Sequence, residues 1–167
     1  MTTRTDYTAA EWELLTDMPR LAAFGAMATE EGGPLTSTRE LWAGMMELAQ
    51  AAQTRYPDNT LIQDVTHAVT GREDGAEPTI VDWRANSGEA LGNAMVEQAL
   101  ETAPEVREVL ASHATAEEAA AYTAWVLGIA RAGCEAVKTG FFGMSGEKLT
   151  ASEAQFIRDL AAALGAT

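Results

Sequence analysis

The chain is poor in the residues on which much protein chemistry depends. It holds one cysteine, Cys134, and two histidines, His67 and His113, among 167 residues. A lone thiol excludes an intramolecular disulfide and any multi-thiolate metal or iron–sulfur site built within one chain, and it suits a reducing compartment. Basic residues are scarce as well: 11 Lys and Arg stand against 25 Asp and Glu, a formal charge of −14. A field of that sign repels nucleic-acid phosphates and anionic membrane surfaces, so direct nucleic-acid binding is not expected. Long apolar runs are missing too. The longest strongly apolar stretch without charge, Ala119 to Ala130, has twelve residues, short of the roughly twenty that span hydrocarbon as a helix. The first residues lead directly into Glu11, Glu13 and Asp17 with no apolar signal core, and a cytoplasmic protein is expected.

Alanine, by contrast, is abundant, with 33 copies. It loses no rotamer freedom in a helix and sets an all-α expectation. A hydrophobic fraction of 47% with 22% charged residues places the acidity on a globular surface and not in a disordered tail. The chain length fits a single domain, residues 1–167, able to bury a core of its own.

Helix starts are marked by a recurring capping box, in which a Ser or Thr side chain accepts one orphan amide and a Glu three residues on reaches back to another. Four occur: Thr8 with Glu11, Ser37 with Glu40, Thr115 with Glu118, and Thr150 with Glu153. Each precedes apolar residues spaced three or four apart. The pattern predicts a short helix from Thr8 to near Asp17, and a second opened by Pro19, whose missing amide suits a first turn. A long helix runs from Ser37 to Pro57, and another, capped by Asp58 or Asn59, from there to Gly71. Arg72 to Pro78 reads as a surface loop and Thr79 to Trp83 as loop or helical turn. Further helices are predicted from Ser87 to Thr102, from Pro104 through Leu110, from Thr115 to Gly140 with Tyr122, Val126, Ile129, Gly133 and Val137 as its stripe, and from Thr150 to Leu164. The expected fold is a compact all-α bundle of about seven helices. Arg20–Leu48 and Arg131–Leu160 look distantly alike, each a helix, a glycine-bearing acidic loop, the pair Leu-Thr and another helix. An internal helix-loop-helix duplication accounts for this, and so does chance in an alanine-rich chain.

Reactive groups do not converge in this pattern. His67, with Asp64 three residues before it, fits neither the zinc-binding nor the diiron helix spacing and reads as structural or solvent-edge. His113 lies at a helix end, where imidazole meets terminal carbonyls. Cys134 sits among Ala130, Ala132 and Val137 and is expected to be buried. Ser145 lacks a nucleophile elbow. The pair Phe141-Phe142 fills a core gap or anchors a partner, the former being favoured. No catalytic residue and no organic cofactor is assigned. Hard cations take carboxylate and carbonyl oxygens from short turns, so Glu31 in Glu30-Glu31-Gly32-Gly33 and Glu147 in Gly143-Met144-Ser145-Gly146-Glu147 are the candidate metal ligands. Neither loop resembles an EF-hand.

The segment Gly146-Glu147-Lys148-Leu149-Thr150-Ala151-Ser152-Glu153, following a small-residue helix and preceding Phe156-Ile157, resembles the helix, acidic-glycine loop, helix unit of TerB-like domains from tellurite-resistance systems. The likeness covers about a third of the chain, which also resembles alanine-rich bacterial helical proteins. The resemblance implies an all-helical bundle with two such units, loop acids that bind divalent cations, and a stress role exerted through partners and not by turnover. The family's Asp-Gly is replaced here by Glu31-Gly32 and Gly146-Glu147.

Three functions are therefore carried forward. The first is a non-enzymatic helical module in bacterial stress response, acting by protein interaction with weak divalent-cation binding. The second is an acidic inhibitor that mimics nucleic-acid phosphate on a partner with a basic surface; acids confined to one face favour it, and acids spread over every helix favour solubility. The third is an enzyme or carrier with an apolar interhelical pocket walled by Trp42, Met45, Trp83 and Trp125, beside His67 or Cys134. A homodimer through alanine-rich faces is an open alternative.

Overall fold

A computed structural model describes residues 2–29, 52–70, 89–139 and 149–166. Their regular structure is entirely helical, with no strand among them. A 3-10 turn at Arg4–Asp6 precedes α1 (Ala9–Ala28), α2 (Thr60–Thr70), α3 (Glu89–His113), α4 (Ala116–Thr139) and α5 (Ala151–Ala163). Residues 52–55 are also helical, in keeping with a helix that ends before Pro57.

Helix α1 is the axis of the bundle. It packs most extensively on α3 and α4 and also touches α2 and α5. Every residue from Leu15 to Ala26 is buried, the pattern of a helix enclosed on all sides. That enclosure takes in Asp17 and Arg20, which form an ion pair one turn apart, as charges withdrawn from water require.

The predicted break before Pro19 does not occur: α1 runs straight through it. Proline removes the amide that would bond the carbonyl four residues back, here Leu15. The Tyr122 hydroxyl on α4 donates to that same carbonyl oxygen at 2.7 Å, so the vacancy left by Pro19 is filled from another helix. Burial pushes the Tyr122 hydroxyl well above its ordinary pKa and keeps it a donor. Likewise the two helices predicted on either side of Pro104 are one, Glu89–His113. The buried residues Ala99, Ala103, Val106 and Leu110 keep a four-three-four spacing through the proline, so one continuous face holds both halves against the bundle. These two fusions account for most of the difference from about seven predicted helices.

The caps stand as expected where they are described. Thr8 accepts from the Glu11 amide at 3.3 Å, Thr115 from Glu118 at 3.2 Å and Thr150 from Glu153 at 3.2 Å, each reciprocated by the glutamate. The Ser37 box lies outside the described residues. Asn59, and not Asp58, caps α2, its Oδ1 accepting from the Ile62 amide at 3.0 Å. Helix α5 stops at Gly165, whose φ of 77° suits glycine. The Gly165 and Ala166 amides donate to Ala162 and Ala161 at 3.1 and 2.9 Å, the paired bonds of a Schellman ending.

Of the predicted α4 stripe, Tyr122, Val126 and Ile129 are buried, and Trp125 and Cys134 on its flanks are buried too. Helix α5 presses Phe156 onto α1 at Gly25, where a Cβ would fall 2.6 Å from the ring Cζ. The loop at Arg72–Pro78, the segment Thr79–Trp83 and both acidic loops of the suspected duplication lie outside the described residues.

Candidate functional site

Among the described residues, a polar cluster gathers where α1 begins, α3 ends and α4 begins. Glu118 is 5% exposed. One of its carboxylate oxygens accepts from the Thr2 amide at 2.6 Å, and the other accepts from the Thr115 amide and hydroxyl at 3.1 and 2.8 Å. A single carboxylate thus caps α4 and fastens the chain that leads into α1. Tyr7, also buried, donates its hydroxyl to Thr2 Oγ1 at 3.1 Å. The Arg4 amide donates to Asp64 on α2 at 3.1 Å, and its guanidinium lies 5.2 Å from the Trp12 ring.

His113 joins this cluster through side chains and not through helix carbonyls as expected. Its Nε2 is 3.1 Å from Glu11 Oε1, and its ring packs 5.3 Å from that of Tyr7. The carboxylate lies within reach because α3 ends beside the first turn of α1.

Hydrogen bonding sets the acid response of this end. Burial pushes the Glu118 carboxyl up, but the amide and hydroxyl donors of Thr2 and Thr115 outweigh it and hold the pKa below its usual value. Glu11 is lowered chiefly by the Thr8 amide and hydroxyl, and Asp6 by those of Thr3. A carboxyl with a lowered folded pKa contributes stability above its ordinary range, and that contribution is lost as pH falls through the folded value. The melting temperature is therefore expected to fall as pH drops from about 5 toward 2. Glu118→Gln should flatten that acid limb while lowering stability at neutral pH, both read by circular dichroism.

The remaining candidates scatter. His67 is exposed on α2, and Asp64 serves the Arg4 amide. Cys134 is fully buried, its Sγ 3.9 Å from the Ala26 carbonyl oxygen. No group of three or more His, Cys, Asp or Glu that could hold a metal ion occurs among the described residues. Glu31 and Glu147 lie outside those residues, as do Ser145, Phe141, Phe142, Trp42, Met45 and Trp83. Among the described residues, no helix is long and apolar enough to cross a membrane.

Two surface features of α3 were not singled out from the sequence. Glu97, Glu101, Glu105 and Glu108 are all exposed and, at spacings of four, four and three, follow one face for about 16 Å. Their helical neighbours at three and four positions include no Lys or Arg, and no ion pair to them forms among the described residues. Like charges one turn apart are destabilising by roughly 0.2–0.5 kcal/mol per pair, so this stripe weakens the helix that carries it. Other exposed acids include Glu13 on α1, Asp58 in the turn before α2, Glu117 on α4 and Asp159 on α5.

The second feature is an open groove of ≈ 470 Å³ between the C-terminal half of α3, the N-terminal half of α4 and the end of α5. Leu110, Leu127 and Leu164 form buried parts of its wall, and Ala116, Ala120 and Ala124 line it at successive turns of α4. It is lined by neither His67 nor Cys134, the positions at which an interhelical pocket was anticipated.

Compared with known proteins, the chain matches no family model, no curated protein and no solved structure.

Proposed function

We propose that the protein is a non-enzymatic helical module that acts by protein interaction in bacterial stress physiology, and that the outer face of α3 meets a partner with a basic surface. The observation that carries this reading is the stripe of Glu97, Glu101, Glu105 and Glu108, exposed and with no Lys or Arg three or four positions away on its own helix. An arrangement that costs folding stability is accounted for if it speeds and orients association with a positive surface. The stress role is what the TerB-like resemblance implies. Acids on the other helices contribute to the general field and to solubility.

Chemical crosslinking in cells, followed by identification of the linked protein and reconstitution of the pair, tests the proposal. The triple variant Glu101→Gln, Glu105→Gln, Glu108→Gln should fold with unchanged or slightly raised stability and bind the reconstituted partner at least tenfold more weakly at low salt. Wild-type affinity should fall with ionic strength more steeply than that of the variant. Equal affinity and equal salt dependence would overturn the assignment of the stripe.

A further inference from the structure

We propose that the groove between α3 and α4 binds a single-chain carboxylic acid, such as a medium-chain fatty acid, with its carboxylate on Arg107 and its alkyl chain along α4. The inference is independent of the acidic stripe and concerns a different surface.

The lining supplies one cation, one hydroxyl and otherwise apolar contact. Among the described residues that line the groove, Arg107 and Thr123 are the only ones with polar side chains, and none is an acid. Arg107 has Ala103, Pro104, Leu110 and Ala111 as its helical neighbours at three and four positions, so no carboxylate lies one turn away from it on its own helix, and Glu105 and Glu108 follow a different face. No ion pair to it forms among the described residues. Its stem is laid over the end of α5, the Cδ lying 2.9 Å from where a Cβ on Gly165 would sit, which keeps the guanidinium at the groove. In a chain of net charge −14, an exposed arginine without an acid partner is the complement of an anionic ligand group.

Thr123 gives the second indication. It is 8% exposed, it lines the groove, and its hydroxyl makes no hydrogen bond to any described residue. A helical threonine commonly returns its hydroxyl to a carbonyl one turn back; here the hydroxyl is left for a ligand oxygen.

Shape completes the argument. Ala116, Ala120 and Ala124 present only methyl groups at successive turns, leaving a trough beside the leucines of the wall, and the volume of ≈ 470 Å³ falls within the range of small-ligand sites. A cationic amphiphile would face Arg107 unfavourably, and a neutral hydrocarbon would leave both polar groups unused. Glu105 and Glu108 line no part of the groove, and repulsion by acids farther away is screened beyond about 8–10 Å at ordinary ionic strength.

Isothermal titration of the full chain with decanoate, below its micelle threshold, and with decanol tests the assignment. Decanoate is expected to bind saturably at one per chain and about tenfold more tightly than decanol. Arg107→Gln should bring decanoate down to the decanol level and leave decanol unaffected, and Thr123→Val should weaken decanoate a few-fold. Ala120→Trp, at an exposed position, should fill the trough and abolish binding of both while preserving helical content. Lack of saturable decanoate binding, or undiminished binding by both Arg107→Gln and Ala120→Trp, would overturn the proposal.

Discussion

Tyr122→Phe is expected to destabilise the protein by about 2 kcal/mol, within the cost of leaving a buried hydrogen-bonding group unmatched. The change removes one oxygen atom and leaves the ring in place. What it takes away is the donor to the Leu15 carbonyl, which lies in the buried stretch of α1 and has no amide four residues on because residue 19 is proline. At this chain length the loss corresponds to roughly 4–8 °C in Tm. The explanation makes a sharper demand of a double-mutant cycle. Pro19→Ala returns an amide to the helix, and in that background Tyr122→Phe should cost markedly less, because the carbonyl then has a donor of its own. Urea unfolding of the four proteins measures the coupling. An equal cost of Tyr122→Phe in both backgrounds would show that the hydroxyl does not substitute for the proline's missing amide.

Phe156→Ala should be more damaging still, by about 3–5 kcal/mol, the range for emptying a buried aromatic site. Phe156 is 3% exposed and lies over the bare backbone of Gly25. Gly25→Val alone should also destabilise, by about 1–3 kcal/mol, because its side chain must occupy space the ring already fills. Together the two changes should cost less than their sum, since the valine enters volume that the alanine has vacated. Equilibrium unfolding of both single variants and the double variant decides the point. Strict additivity would mean that the ring and the glycine do not compete for the same space.

The outline of the bundle was legible because its signals are local. Capping boxes join residues three apart, and the buried faces recur every three or four positions, so Thr8, Thr115 and Thr150 could be placed at helix starts from neighbouring letters alone. The two prolines misled for the complementary reason. What carries α1 through Pro19 is a hydroxyl more than a hundred positions away, and no local pattern announces it. At Pro104 two local signals conflict: proline punctuates the chain, while the phase of Ala99, Ala103, Val106 and Leu110 runs through it uninterrupted, and in the folded protein the stripe prevails. The role of His113 was hidden similarly: its partner, Glu11, becomes a neighbour only when α1 and α3 are brought together.

Function was less legible than fold. Histidine, cysteine and acidic loops are where chemistry is usually concentrated, yet His67 and Cys134 lie apart and Glu31 and Glu147 fall outside the described residues. The glutamates of α3 are visible in the sequence at spacings of four, four and three with no Lys or Arg one turn away, a pattern whose meaning depends on exposure. The groove could not be read at all, because Arg107, Thr123 and Leu164 come from three helices and only their packing sets them around one space.

The central position of α1 has a consequence for how the chain is made. Glu89, which opens α3, lies 61 residues beyond Ala28, the last residue of α1. At about 5–20 residues per second, a ribosome needs seconds to deliver the first of the two helices that cover α1 most. During that interval the segment destined for the middle of the molecule has been synthesised ahead of its principal neighbours. Nascent chains stalled before α3 should therefore be clients for chaperones that hold apolar segments, and release from them should coincide with the emergence of α4.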